Sequence, residues 1–97
     1  MQFSLENFCQ VTELPTKIVI DIVEEGIVEP RGESPDTWLF DRKMASIAEK
    51  AFRLHRDLDI EWAGIALAIS LLEELEQVRA ENQQLQRLLR RYVDRRL

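Results

Sequence analysis

Asp21, Glu24, Glu25 and Glu29 place four carboxylates within nine residues, and only Lys17 and Arg31 supply positive charge nearby. Carboxylates at that density draw in a cationic surface and repel a polyanion. Duplex DNA favours Lys and Arg because contact releases condensed counterions; a carboxylate in the same place is repelled unless it accepts from a cytosine amino group. The segment therefore points to a protein partner with a basic surface, and no direct DNA binding is expected. Charge alone steers without holding, so apolar anchors are needed as well. Ile20 and Val28 are the candidates, because Ile18, Ile22 and Val23 already occupy the face that a short helix would bury. The alternative for the whole cluster is a solvated charged face, which contributes little energy.

Other chemistry finds no support. Cys9 and His55 are the only soft metal-ligand types, far apart and with no second thiolate, so no metal site is expected. There is no Ser-His-Asp spacing and no phosphate-cradling glycine loop, and no enzyme or cofactor is expected. His55, flanked by Arg53, Arg56 and Asp57, reads as an exposed helix residue. At least one of Trp38 and Phe40 must be core, because one face of their strand packs inward, and core is also the default for Trp62.

The chain has 97 residues and a net charge of -5, unevenly spread: residues 1 to 41 hold two basic against nine acidic residues, a net of -7, and the remainder carries +2. One small domain is expected over 1-97, with a core small enough that a second subunit would help it. A single cysteine suits a reducing compartment. Met1 to Glu6 lack the features of a signal peptide. The run from Trp62 to Leu72 falls short of the roughly 20 residues a membrane helix needs, so the expected location is the cytoplasm.

The elements that must position the acidic cluster follow from periodicity and punctuation. Phe3 and Leu5 alternate with polar neighbours as a short first strand. A helix follows from about Glu6, Pro15 ends it, and Thr16 is the expected N-cap of a second helix that Gly26 terminates. Two short helices about a tight turn form a helix-turn-helix, and the acidic cluster lies on the helix that would read DNA. Ile27 to Pro30 and Thr37 to Phe40 read as a β-hairpin wing. Asp41 caps a third helix that runs to Leu58, and Asp59 is expected to cap a fourth from near Ile60.

In the fourth helix Leu71, Leu75, Val78, Asn82, Leu85, Leu89 and Tyr92 follow at alternating steps of four and three. This is a heptad seam over 71-92, with Asn82 its one polar member, and it predicts a homodimer. Glu73, Glu74, Glu76 and Glu81 crowd its first half; Arg87, Arg90, Arg91, Arg95 and Arg96 crowd its second. Antiparallel pairing near Asn82 sets acid against base and opposes the helix dipoles favourably, although a parallel register would also let Glu74 meet Arg79 of the other chain. Antiparallel is the expected orientation. The expected layout is thus mainly α: 1-58 a winged helix-turn-helix with its third helix, 59-97 a long helix with a coiled-coil dimerisation seam.

Gly26-Ile27-Val28-Glu29-Pro30-Arg31, then Trp38-Leu39-Phe40-Asp41, then Leu58-Asp59-Ile60-Glu61-Trp62-Ala63-Gly64-Ile65, resembles the winged-helix regulators of the MerR type. The chain is more closely similar to the chaperone modulatory family of the CbpM type, with Trp-x-Phe-Asp before the third helix, Trp-x-Gly-Ile-Ala in the fourth, and Glu81-Asn82-Gln83-Gln84-Leu85 further on. The resemblance runs from about Phe3 to Val93. It implies binding to the J-domain of a CbpA-type, DnaJ-like co-chaperone, restraining its work with the Hsp70 chaperone DnaK and its association with DNA. Two other readings stand beside it. One is a small MerR-like DNA-binding transcription regulator, with Arg31, Arg42 and Lys43 on phosphates; the other is a coiled-coil adaptor that uses only the seam.

Overall fold

The computed structural model describes residues 1 to 96. α1 (Leu5–Thr12) begins where the Ser4 hydroxyl accepts from the Asn7 amide at 3.2 Å, which satisfies one of the donors every helix start leaves free. It turns Phe8 and Thr12 inward, and the Thr12 hydroxyl donates to the Phe8 carbonyl at 2.8 Å. Glu13 ends α1 in the left-handed region at φ 58°, so the chain reverses over Leu14 and Pro15 into α2 (Thr16–Glu24). Pro15, not Thr16, holds the N-cap position. Thr16 is already helical, and its hydroxyl lies 3.8 Å from the Cys9 thiol instead of capping the helix.

Gly26 closes α2 as expected, at φ +74°. Its amide donates to the Val23 carbonyl and the Ile27 amide to the Ile22 carbonyl, the paired bonds of a Schellman end. Beyond it, the segment expected to form a hairpin wing, which keeps that label below, pairs only through isolated bridges, and residues 27–30 do not ladder with 37–40. Arg31 and Leu39 exchange both backbone hydrogen bonds, at 3.1 and 2.9 Å, and Phe3 and Phe40 do so at 2.7 and 2.8 Å. These remain isolated bridges, and no strand forms among the described residues. Pro30 and Pro35 have no amide to extend a ladder, and Pro35–Thr37 coils into a 3-10 turn instead. Leu5 belongs to α1, so only Phe3 remains of the expected first strand.

α3 (Arg42–Leu58) starts on Asp41, whose carboxylate accepts from the Met44 amide at 2.9 Å. Its inner face is Ala45, Ala48 and Ala51. The small side chains of Ala45 and Ala48 let α1 and α2 approach the α3 backbone closely, and larger residues on the neighbours fill the space: Phe8, Leu14, Val19, Ile22 and Phe40 join them in the main core. Asp59 does not cap the next helix. It adopts the left-handed conformation at φ 52° that ends α3, and α4 (Trp62–Arg96) begins three residues later.

The α3–α4 corner is held by His55, which is partly buried and not the exposed residue its charged neighbours suggested. Its ring stacks on Trp62 at 4.0 Å between centroids, and its Nδ1 lies 2.6 Å from the Ile60 carbonyl. Gly64 allows Ile60 to fold over the helix, since a Cβ there would meet the Ile60 Cγ2 at 2.7 Å. Past the corner, Ile65 and Ile69 pack with Ala51 in a second cluster, bordered by Ile47, Leu54 and Trp62. Every α4 side chain from Ser70 to Arg95 is exposed. At about 1.5 Å rise per residue the 35 residues of α4 make a rod of roughly 50 Å, which sets the 61 Å long axis of the molecule. Among the described residues no helix is long and apolar enough to cross a membrane.

Candidate partner-binding surface

α2 gathers Lys17, Asp21 and Glu24 on one side by its helical turn, with Glu25 at its end and Ile20 along the border. The opposite side is anchored by Val19 and Ile22, fully buried, with Ile18 and Val23 packed beside them. Packing against α1 and α3 therefore fixes which way the acidic side faces. Glu24, Glu25 and Glu29 are exposed and Asp21 half-buried. Ile20 is half-buried and is not among the side chains packed on the core, so it keeps an open apolar edge beside the carboxylates.

Val28 corrects the sequence reading. It is 3% exposed and part of the main core, because the Schellman end of α2 folds Ile27 and Val28 back over Ile22 and Phe40. It offers a partner nothing.

The charges of α2 stand against its own dipole. Lys17 lies in the first turn, where no acidic residue is present, and Glu24 and Glu25 stand at the C-terminal end, where no basic residue is present. The partial charges of a helix favour the reverse, by about 0.3 to 1 kcal/mol for a surface group. Helix stability therefore does not account for Lys17, Glu24 and Glu25 at these positions. In a DNA-reading helix the same positions would meet phosphates with carboxylates.

The seam residues lie together on the free part of α4. Leu71, Leu75, Val78, Leu85, Leu89 and Tyr92 are all exposed large side chains, with Leu67 continuing the line toward the corner. Together they form a continuous line of exposed apolar side chains. Among the described residues no group of three or more His, Cys, Asp or Glu side chains could hold a metal ion. A groove between α3 and α4, with Lys43 and Lys50 on one wall and Glu73 and Glu76 on the other, has no counterpart in the sequence reading. Its only advance signal is the seven-residue spacing of the two lysines, which puts them on one face of α3.

Comparison with known proteins agrees with this architecture. A family model described as MerR HTH family regulatory protein matches residues 3–87. The chaperone modulatory protein CbpM of Pseudomonas putida KT2440 is 42% identical over 93 residues, covering 96% of this chain and 92% of that protein. The CbpM proteins of Salmonella arizonae and Escherichia coli HS are 37% and 35% identical over 91 residues, covering 94% of this chain and 90% of each. With nearly the whole length matched by both kinds of comparison, the chain belongs to the MerR helix-turn-helix family and, within it, to the chaperone modulatory proteins CbpM.

Proposed function

We propose that this chain is a cytoplasmic chaperone modulator that binds the J-domain of a CbpA-type, DnaJ-like co-chaperone and inhibits its co-chaperone and DNA-binding activities. The acidic side of α2 grips a basic surface of the J-domain through Asp21, Glu24 and Glu25, with Glu29 at the base of the wing and Ile20 as the apolar contact. The observation that carries this reading is the arrangement of α2, whose charges oppose its own helix dipole while its packed side holds them outward. The names of the relatives support chaperone modulation.

The protein acts as a homodimer through the α4 stripe. Antiparallel pairing about Asn82 sets the acidic first half of the stripe region, flanked by Glu74 and Glu81, beside the basic second half of the other chain, which favours that orientation over parallel. The regulator reading rests on the family description and on Arg31, Arg42 and Lys43, all exposed near the wing. Those cations stand beside nine carboxylates in residues 1 to 41, a weak footprint for a nucleic acid.

The test is calorimetric titration of an isolated J-domain from a CbpA-type co-chaperone. The parent protein is expected to bind with an affinity that weakens as salt rises, and Asp21→Lys/Glu24→Lys/Glu25→Lys to lose at least tenfold while keeping its circular dichroism and its dimer. Equal affinity of parent and triple variant would move the contact to α3 or α4.

A further inference from the structure

α3 and α4 leave a groove between them of about 490 Å³. Its floor is apolar: Ile47 is half-buried, Ile69 is buried, and Leu72 is 40% exposed. Its walls are charged and opposite in sign, with Lys43 and Lys50 on α3 facing Glu73 and Glu76 on α4. Among the described residues no ion pair crosses it; the four charged groups stand apart and exposed.

The groove lies away from the dimer stripe. At 100° per residue, the positions of Ile69, Leu72, Glu73 and Glu76 are turned roughly 150° around α4 from the line of Leu71, Leu75 and Val78. A second chain on the stripe leaves the groove open, and neither the stripe nor α2 contributes its lining.

We infer that this groove is a docking site for an amphipathic helix of a protein partner, one with apolar side chains in the centre of its face, basic residues along one flank and acidic residues along the other. Two helices already form the trough, and a third laid in it buries a Leu or Phe on Ile47, Ile69 and Leu72. Its basic flank meets Glu73 and Glu76, and its acidic flank meets Lys43 and Lys50. A helix with one sign on both flanks is repelled by one wall, so the opposed walls select a bipolar partner. The space is that of a typical pocket, large enough for one or two such side chains. This inference does not depend on the α2 reading.

The probe is a labelled 15-residue synthetic helix with leucines at i, i+4 and i+7, arginines on one flank and glutamates on the other. Two control helices keep the leucines and carry only arginine or only glutamate flanks. Fluorescence anisotropy with the full chain is expected to show the bipolar helix binding at least tenfold more tightly than either control. Leu72→Asp should abolish binding. Lys43→Gln/Lys50→Gln, confined to exposed side chains, should keep the fold and abolish the preference over the arginine-flanked control. Methyl NMR should place the perturbations on Ile47, Ile69 and Leu72. Equal binding of all three helices, no measurable binding of the bipolar one, or perturbations confined to other methyls would overturn the inference.

Discussion

The Phe8 ring of α1 lies on the Phe40 ring of the wing at 4.1 Å between centroids and 14° between planes. Both side chains are fully buried, and Trp38 meets Phe40 edge-on at 6.1 Å. This stack joins the first helix to the segment leading into the third. Phe8→Ala and Phe40→Ala are each expected to lose about 3 to 5 kcal/mol. Because the rings touch, the double variant should lose less than the sum. Urea denaturation of the three variants measures both quantities.

Asp41 begins α3 through one charged hydrogen bond, to the Met44 amide. Asp41→Ala should cost about 1 kcal/mol, and Asp41→Asn should retain most of it, because an amide oxygen can still accept. Thermal melts of the two variants side by side make the comparison. Equal losses would assign the effect to charge instead of capping.

Gly26 and Gly32 both hold positive φ, but their surroundings differ. A Cβ at Gly26 meets nothing within 4 Å, while one at Gly32 would run into the Thr37 carbonyl. Gly26→Ala is expected to cost about 1 to 2 kcal/mol from the left-handed backbone alone. Gly32→Ala should cost more, because the 3-10 turn must also move. Melting temperatures rank the two, and the reverse order would contradict the close approach at Gly32.

Val78→Asp with Leu85→Asp should convert the protein to monomers, since a seam does not tolerate buried carboxylates. Light scattering that still reports a dimer would place the interface elsewhere. For orientation, a variant with cysteines in place of Glu74 and Arg90 should crosslink Glu74 to Arg90 positions between chains; either self-crosslink in excess would indicate parallel pairing.

Alone, the protein should show no salt-sensitive micromolar binding to duplex DNA at physiological salt, because the first 41 residues carry a net -7. Anisotropy titration with a labelled duplex provides the measurement, and such binding would promote the regulator reading.

The helices were legible because their signals are local: Asp41 and Gly26 are residue types that begin or end helices by their own hydrogen bonds or torsions, whereas the Ser4 cap went unread behind the expected first strand. The wing was only half legible. Ile27 and Val28 have strand-forming side chains, but burial over the end of α2 claimed them, and tertiary packing overrode a propensity that is weak by nature. The same packing removed Val28 from the surface, and no periodicity in so short a segment announces that. Asp59 and Thr16 were misplaced by a residue or two because Asp suits both a helix start and a left-handed end, and Thr suits either side of a boundary. The acidic side of α2 could be read directly, since exposed charge needs no partner element to define it. The α3–α4 groove could not be read, because it exists only once two helices distant in sequence lie side by side.

The outer part of α4 has a consequence for how the molecule holds together. Beyond Gln77 every described side chain of this helix is exposed, and a helix of that length without tertiary support is marginal in water. Under the proposed pairing of two chains, its order is tied to the amount of protein present. At high dilution the amides from about Val78 onward should exchange with solvent quickly while those of α1 and α3 stay protected, and raising the concentration should slow exchange along the outer rod alone.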